Sequence, residues 1–428
     1  MKYSTVVFDL DGTIADTMPG ILSAVKYALN KMNSPILPDE VLRGFSGPPI
    51  VDSFQSLCQM SKEESQKATL FYREYYDEIG WKNSSLYPGI RSVITALKQA
   101  GARLFVATGK KEDVAHRTLE HFFLDHFFED LVAPEPGIKF RDKEYALDKL
   151  LGNHVQGAVM IGDTPGDIVG AKKNNVASIA VTFGAGSRQE LIDSQPDEIA
   201  DSPEDLYGLL GIEPIKGYFI SLEGNDGSGK STQAEMLHRS LDNLGYKVLF
   251  TREPGGTLVS EKIRQLLLDV DNRSMTCRTE ALLFAAGRAQ HVEEVIKPAL
   301  EQGYLVVCDR YVDSSIAYQG GGRKLGIDLV RDINAPAING LLPNTTAFLS
   351  IDPCVALTRR VEATAADRIE QSQMDFHNRV ADAYQKIIQN DPDRFIIINA
   401  DQDKDSVQSE LLSCLLPRLR AFEVKQCK

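Results

Sequence analysis

The chain has 428 residues, a formal net charge of −13, 43% apolar side chains and 25% charged ones. That length suits two domains of ordinary size better than one core, and the composition excludes a disordered or fibrous protein. The acidic balance argues against nucleic acid or an anionic membrane as the main partner, yet permits small phosphorylated ligands held by local donors.

Taken in chain order, short apolar runs alternate with longer helical stretches, which predicts α/β architecture with parallel sheets. The first-half strands are STVVFDL, RLFVATG, GAVMIGD and SIAVTFG. After the first of them, residues 16–85 are mostly helical and supply no clear strand, so they are expected to form a cap over the strand ends. The second half restarts with YFISLEG, KVLFTREPGG, YLVVCDRY, TTAFLSID and RFIIINA. Between the halves GLLGIEPIKGYF carries Gly211, Pro214 and Gly217 without helical periodicity. The expected division is therefore 1–213, with a core of 1–15 and 86–213 around the cap, followed by 214–428.

In VVFDLDGT, Asp9 and Asp11 end a strand two residues apart, so both carboxylates point toward the crevice where open α/β sheets bind ligands. One can attack while the other delivers a proton. A carboxylate attacking phosphorus needs cations beside it. MIGDTPGDI ends another strand with Asp163 and Asp167, hard oxygen ligands suited to Mg²⁺, and FVATGKK ends a third with Thr108, whose hydroxyl and following amides can hold phosphate oxygens.

Together these motifs resemble the haloacid dehalogenase superfamily of phosphohydrolases, over residues 1 to about 210. The resemblance implies a Rossmann-like core, Asp9 as the nucleophile forming an aspartyl-phosphate, and Asp11 as general acid and base. It places Mg²⁺ between Asp9, the Asp11 carbonyl and Asp163. The family's phosphate-facing lysine has two candidates, Lys139 and Lys143; Lys143, opening the helix KEYALDKLL, has the more usual placement. GFSGPPIVDSF and FYREYYDEIGWKNSSLYPGI resemble the 5′-nucleotidase or phosphoglycolate-phosphatase-like branch. Tyr72, Tyr75, Tyr76 and Trp81 offer either base stacking or helix packing. The expected substrate is a nucleoside monophosphate, with phosphoglycolate or a sugar phosphate as the alternative.

In the second half GNDGSGKS matches the phosphate-binding loop pattern between a strand and a helix. Amides of Gly224, Asn225, Asp226, Gly227, Ser228, Gly229 and Thr232 would face ATP phosphates at the helix start. Lys230 would reach the β and γ groups, and Ser231 would bind Mg²⁺. The loop indicates ATP or GTP as donor and says little of the acceptor. TREPGGT, ALLFAAGRAQH and CDRYVDSSIAYQGGGR then follow in the order and spacing of thymidylate kinases, a resemblance covering essentially all of 217–428. It implies a P-loop nucleoside monophosphate kinase fold and a dTMP site built from Arg252, Glu253, Phe284, Arg288, Arg310, Ser315, Tyr318 and Gln319. Phe284 would stack on thymine, Arg288 hold the acceptor phosphate and Gln319 lie near base and sugar. Tyr318 would sit under the sugar, and Asp309 with Arg310 would serve metal and transfer chemistry.

The lid departs from that resemblance. With glycine at 227, a catalytic arginine is expected before DRIE, but RRVEATAADRIE has arginine only at 359, 360 and 368. Arg360 is the expected substitute. The reading is a bifunctional enzyme, with one half as a non-catalytic regulatory module as the rival. A homodimer through the kinase half is implied. Six scattered cysteines without a C-x-x-C spacing predict reduced thiols in a cytoplasm. No room for a signal peptide and no membrane span are expected.

Overall fold

The computed structural model describes residues 1–46, 49–133, 143–152, 154–363, 368–369 and 373–426, without the side chains of 360–363. Backbone packing separates two compact units, one built on Met1–Pro214 and the other on Ile215–Leu241 and Lys247–Lys425.

The first unit contains strands β1 (Thr5–Phe8), β2 (Ala15–Asp16), β3 (Ser85–Leu86), β4 (Arg103–Ala107), β5 (Asp130–Val132), β6 (Ala158–Gly162), β7 (Ala177–Val181) and β8 (Glu198–Ala200). Six of them form a sheet in the order β5-β4-β1-β6-β7-β8, every neighbouring pair parallel. A parallel sheet covered on both faces needs continuous apolar strands, and Val6, Val7 and Phe8 of central β1 are fully buried. The edge strands β5 and β8, three residues each, lie outside the predicted apolar runs, because a strand that short carries too little pattern. Register matters more for chemistry. Phe8 pairs with Val106 on one side and Ile161 on the other, so β1, β4 and β6 end level with one another.

The helical insertion has its own interior. Helices Met18–Lys31, Ile50–Cys58 and Lys62–Tyr76 close over Phe45, Phe54, Tyr72, Tyr76 and Trp81. The last of these helices starts at a capping box in which Ser61 and Glu64 satisfy each other's backbone amides. The chain leaves and re-enters the core through the antiparallel ribbon β2–β3.

The second unit has strands β9 (Tyr218–Glu223), β10 (Val248–Arg252), β11 (Leu305–Asp309), β12 (Thr345–Ser350) and β13 (Phe395–Asn399), parallel throughout in the order β10-β11-β9-β12-β13. Chain order reverses on either side of β9, and such a switch point opens a crevice at the strand ends. Helix Met374–Asn390 turns Phe376, Val380, Ala383, Tyr384 and Ile387 inward, a spacing of three and four residues that seats it on the core. Among the described residues no helix is long and apolar enough to cross a membrane, and Cys58, Cys277, Cys308, Cys354 and Cys414 are free thiols.

Candidate active sites

In the first unit the level strand ends bring Asp9, Thr108 and Asp163 side by side. The turn after β1 is tight: Gly12 has φ +84°, and a Cβ there would come within 2.1 Å of the Asp163 carboxylate. Lys143, at the start of its helix, donates to Asp9 Oδ1 at 2.5 Å and to the Ala107 carbonyl at 2.6 Å, and pairs with Asp167 Oδ1 at 2.8 Å. Of the two predicted lysines, Lys143 contacts Asp9, and Lys139 lies outside the described residues. Asp167 also caps helix Pro165–Lys173, accepting from the Thr164 amide and hydroxyl, so one carboxylate holds both the helix start and the lysine. Asp163 is fixed by Thr13 Oγ1 at 3.1 Å and the Ala185 amide at 2.8 Å.

Asp9, Asp163 and Asp167 each offer a carboxylate oxygen within 4.8 Å of the others. Burial pushes Asp9 well above the usual carboxylate range; Lys143 opposes that shift, while Asp167 and Asp163 reinforce it. Burial and Asp167 likewise bring Asp163 up to about 6. Lys143 is lowered by burial, but Asp167 and Asp9 outweigh this and hold it protonated above its ordinary value. A buried all-oxygen set with surplus negative charge fits a hard divalent cation such as Mg²⁺. The Asp11 carboxylate stands apart from that set.

Instead, Asp11 Oδ1 pairs with Lys110 Nζ at 2.8 Å, and Lys110 also donates to the Tyr76 hydroxyl of the cap at 2.6 Å. Sequence reading missed this buried lysine. Its signal was its place two residues after Thr108, where its own amide donates to the Thr108 hydroxyl at 3.1 Å. The cap aromatics are engaged with protein. Tyr72 stacks on Tyr76, Tyr75 meets Tyr27, and Trp81 contacts His121 and the Arg117 guanidinium. Tyr72, Tyr76 and Trp81 are buried, which makes them packing residues first.

In the second unit the phosphate-binding loop joins β9 to helix Lys230–Asn243. Lys230 Nζ donates to the carbonyls of Gly224 and Asn225 at 3.0 and 2.8 Å. Burial and the nearby Arg310 lower it to about 8, against the pull of Asp226, Asp309 and Glu223. Ser231 Oγ donates to Asp309 Oδ2 at 2.6 Å, while Asp309 Oδ1 is buried with no hydrogen-bond partner among the described residues. That orphaned oxygen beside a hydroxyl fits a divalent cation. Arg310, in the left-handed region at φ +71°, donates to Asp226, to the Gly224 carbonyl at 3.1 Å and to Ser314 at 3.0 Å. Tyr318 closes the group by donating to Asp226 Oδ2 at 2.9 Å.

These residues line a cavity of about 640 Å³. It also takes in Gly227, Gly229, Thr232, Arg252, Glu253, Phe284, Arg288, Ser315 and Gln319. The predicted loop residues Gly224, Asn225 and Ser228 lie behind its wall rather than along it. Phe284 is half-buried and packs against the core as well. Arg252 pairs with Glu261 and is exposed, whereas Arg288 is buried among several partners. Gln319 donates to buried Glu280 at 2.9 Å.

Lid arginines separate into distinct roles. Arg359 lines the cavity and donates to Ala400 O and Asp401 Oδ1, both at 2.8 Å. Arg368 is tied to Glu280 at 2.7 Å and to Leu267 O at 2.9 Å, a structural tether. The Arg360 side chain lies outside the described residues, although its backbone belongs to helix Pro353–Ala363.

Fold and geometry thus define a parallel α/β core with a buried carboxylate cluster at its strand ends and, on the same chain, a second parallel α/β domain with a P-loop. Residues 6–181 match the haloacid dehalogenase-like hydrolase family and residues 222–411 match thymidylate kinase. Curated thymidylate kinases from Exiguobacterium sp. and Lactobacillus acidophilus are 45% and 48% identical over 212 and 208 residues, about half of this chain and 100% and 96% of theirs. A haloacid dehalogenase-like hydrolase structure from Streptococcus pneumoniae is 29% identical with a TM-score of 0.46, covering 49% of this chain and 99% of that one. The chain belongs to the thymidylate kinase family through its second unit and joins that kinase to a haloacid dehalogenase-like hydrolase.

Proposed function

We propose that the second unit transfers the γ-phosphoryl group of ATP to dTMP, giving ADP and dTDP. The observation supporting this most is the convergence of Lys230, Arg310 and Arg252 on the cavity that Phe284 and Gln319 also line. Lys230 would exchange its two carbonyl partners for β and γ oxygens. Arg252 and Arg310 would face the acceptor phosphate, Phe284 the thymine, and Tyr318 the sugar. Arg288 has one N–H left for the acceptor nucleotide. Magnesium held by Ser231 and Asp309 would neutralise charge between the phosphates. Catalysis then consists of positioning and charge stabilisation, with Arg360 in the lid completing the set.

For the first unit, we infer hydrolysis of a phosphate monoester, a nucleoside monophosphate, through Asp9. An Asp9 oxygen attacks phosphorus as the ester oxygen leaves, and Asp11 protonates that oxygen. Asp11 then takes a proton from the water that cleaves the aspartyl-phosphate. Lys143 favours the ionised form of Asp9 against its burial and aims it, and Thr108 with its following amides would receive phosphate oxygens. Magnesium held by Asp9, Asp163, Asp167 and the Asp11 carbonyl would screen nucleophile from substrate. A second substrate reading draws on Lys110: an ammonium beside Asp11, on the leaving-group side, suits a short leaving group with its own anion, as in phosphoglycolate.

We also propose a homodimer through helices Leu258–Leu268 and Cys277–His291, whose Leu258, Leu266 and Leu282 are at least half exposed. With its free thiols the chain suits a cytoplasm. Purified full chain assayed for dTDP formation, and for phosphate release from nucleoside monophosphates, phosphoglycolate and sugar phosphates, tests both halves. dTMP binding without turnover would make the second unit a binding module. Preferential cleavage of phosphoglycolate would replace the nucleotide reading.

A further inference from the structure

Phe284, Arg288 and His291 stand at i, i+4 and i+7 of helix Cys277–His291 and share one face. The first two line the cavity; His291 is fully buried behind them. Its ring nitrogens join two elements. Nε2 lies 2.7 Å from the Thr251 hydroxyl on β10, and Nδ1 lies 3.0 Å from Glu253 Oε1 in the turn that follows. The other Glu253 oxygen accepts from Arg288 Nε at 2.7 Å. A consistent assignment has Thr251 donating to Nε2 and Nδ1–H donating to Glu253.

The relay ends at an arginine with little freedom left. Arg288 also donates to Ser315 at 3.0 Å, to Asn334, and to the Tyr311 carbonyl at 3.2 Å. Of five guanidinium N–H groups, described residues take four and leave one toward a ligand. Glu253 is the charged member of the set that fixes where it points, and His291 contacts the second Glu253 oxygen. Space around the ring is closed as well: a Cβ at Gly256 would approach His291 Nε2 to 2.6 Å and Thr251 Oγ1 to 2.8 Å. Histidine there, against glycine and between a hydroxyl and a carboxylate, leaves the ring one orientation.

We propose that His291 is a positioning residue for the acceptor nucleotide, acting through Glu253 to aim Arg288 into the cavity. It rests on the reading of Arg288 as an acceptor-site residue. Loss of the ring nitrogens leaves a buried carboxylate oxygen unpartnered and lets Glu253 and Arg288 turn, which weakens the acceptor and spares ATP.

The test uses the full chain with steady-state kinetics for dTMP and ATP separately. His291→Phe is expected to raise KM for dTMP about tenfold or more while KM for ATP stays within about twofold, since a lost hydrogen bond to a buried charge has that size. His291→Asn, which can place an N–H near the Nδ1 position, should recover most of that loss. If His291→Phe does not fold, His291→Asn and Thr251→Val decide. Asn must then stay near wild type, and Val, removing only the far hydroxyl, should raise KM for dTMP about threefold. An unchanged KM for dTMP, an equal loss for both substrates, or no recovery in His291→Asn overturns the positioning role. A wild-type chain that neither binds nor phosphorylates dTMP overturns the acceptor reading itself, and the proposal with it.

Discussion

Around Asp9 the first unit sets Asp9, Asp11, Asp163 and Asp167 against Lys143 and Lys110, leaving negative charge in surplus. Around the P-loop the second unit sets Lys230, Arg252, Arg264, Arg288, Arg310 and Arg359 against Asp226, Glu253 and Asp309, leaving positive charge in surplus. The proton equilibria carry the same contrast: Asp9 and Asp163 are raised, whereas Lys230 is lowered to about 8. On the proposed reading the first site gathers a cation before it meets phosphate, and the second meets polyphosphate with its own cationic side chains. Both end parallel strands at one level, so the same architecture serves opposite charge patterns through the residues placed after each strand.

The contrast can be broken most severely at the groups that define each side. Asp9→Asn keeps size but removes the nucleophile, and phosphate release should all but vanish. Lys230→Ala should lower dTDP formation roughly a hundredfold or more, the size expected for loss of a charge-stabilising group in phosphoryl transfer. Next in size, Asp163→Asn should raise the Mg²⁺ concentration needed for half-maximal phosphate release by about tenfold, with chelator abolishing release in the parent chain. An unaltered Mg²⁺ dependence would remove Asp163 from the cation set. Arg360→Ala should lower kinase kcat with little change in dTMP affinity, since its role belongs to the transition state. An unchanged kcat would return the catalytic arginine to Arg359, which already faces the cavity. Smallest, Lys110→Met should reduce phosphate release several-fold, by about the worth of one charged hydrogen bond.

Much of both sites was legible because the residues follow strand ends in the sequence. VVFDLDGT, GAVMIGD and RLFVATG each announce a strand and what it delivers, and parallel register brings those ends together. Lys143 was legible only as one of two lysines; its contact with Asp9 depends on how its helix packs against Gly170, where a Cβ would come within 2.6 Å of the Lys143 side chain. The buried contacts of Lys110 and His291 were not legible, since their partners, Tyr76 and Thr251, lie far away in sequence. Arg368 shows the reverse problem. Beside a lid motif it suggests catalysis, yet buried Glu280, on another helix, holds it as a tether. For the cap aromatics the sequence leaves base stacking and helix packing open, and their partners within the cap show the packing.

The most direct measurement is to assay Asp9→Asn and Lys230→Ala each for both reactions. Every residue of the Asp9 cluster comes from the first unit, and every residue lining the P-loop cavity comes from the second. The expected result is that Asp9→Asn loses phosphate release while dTMP phosphorylation stays near normal, and that Lys230→Ala shows the converse. Loss of both activities in either folded variant would contradict two self-contained sites and require shared catalysis.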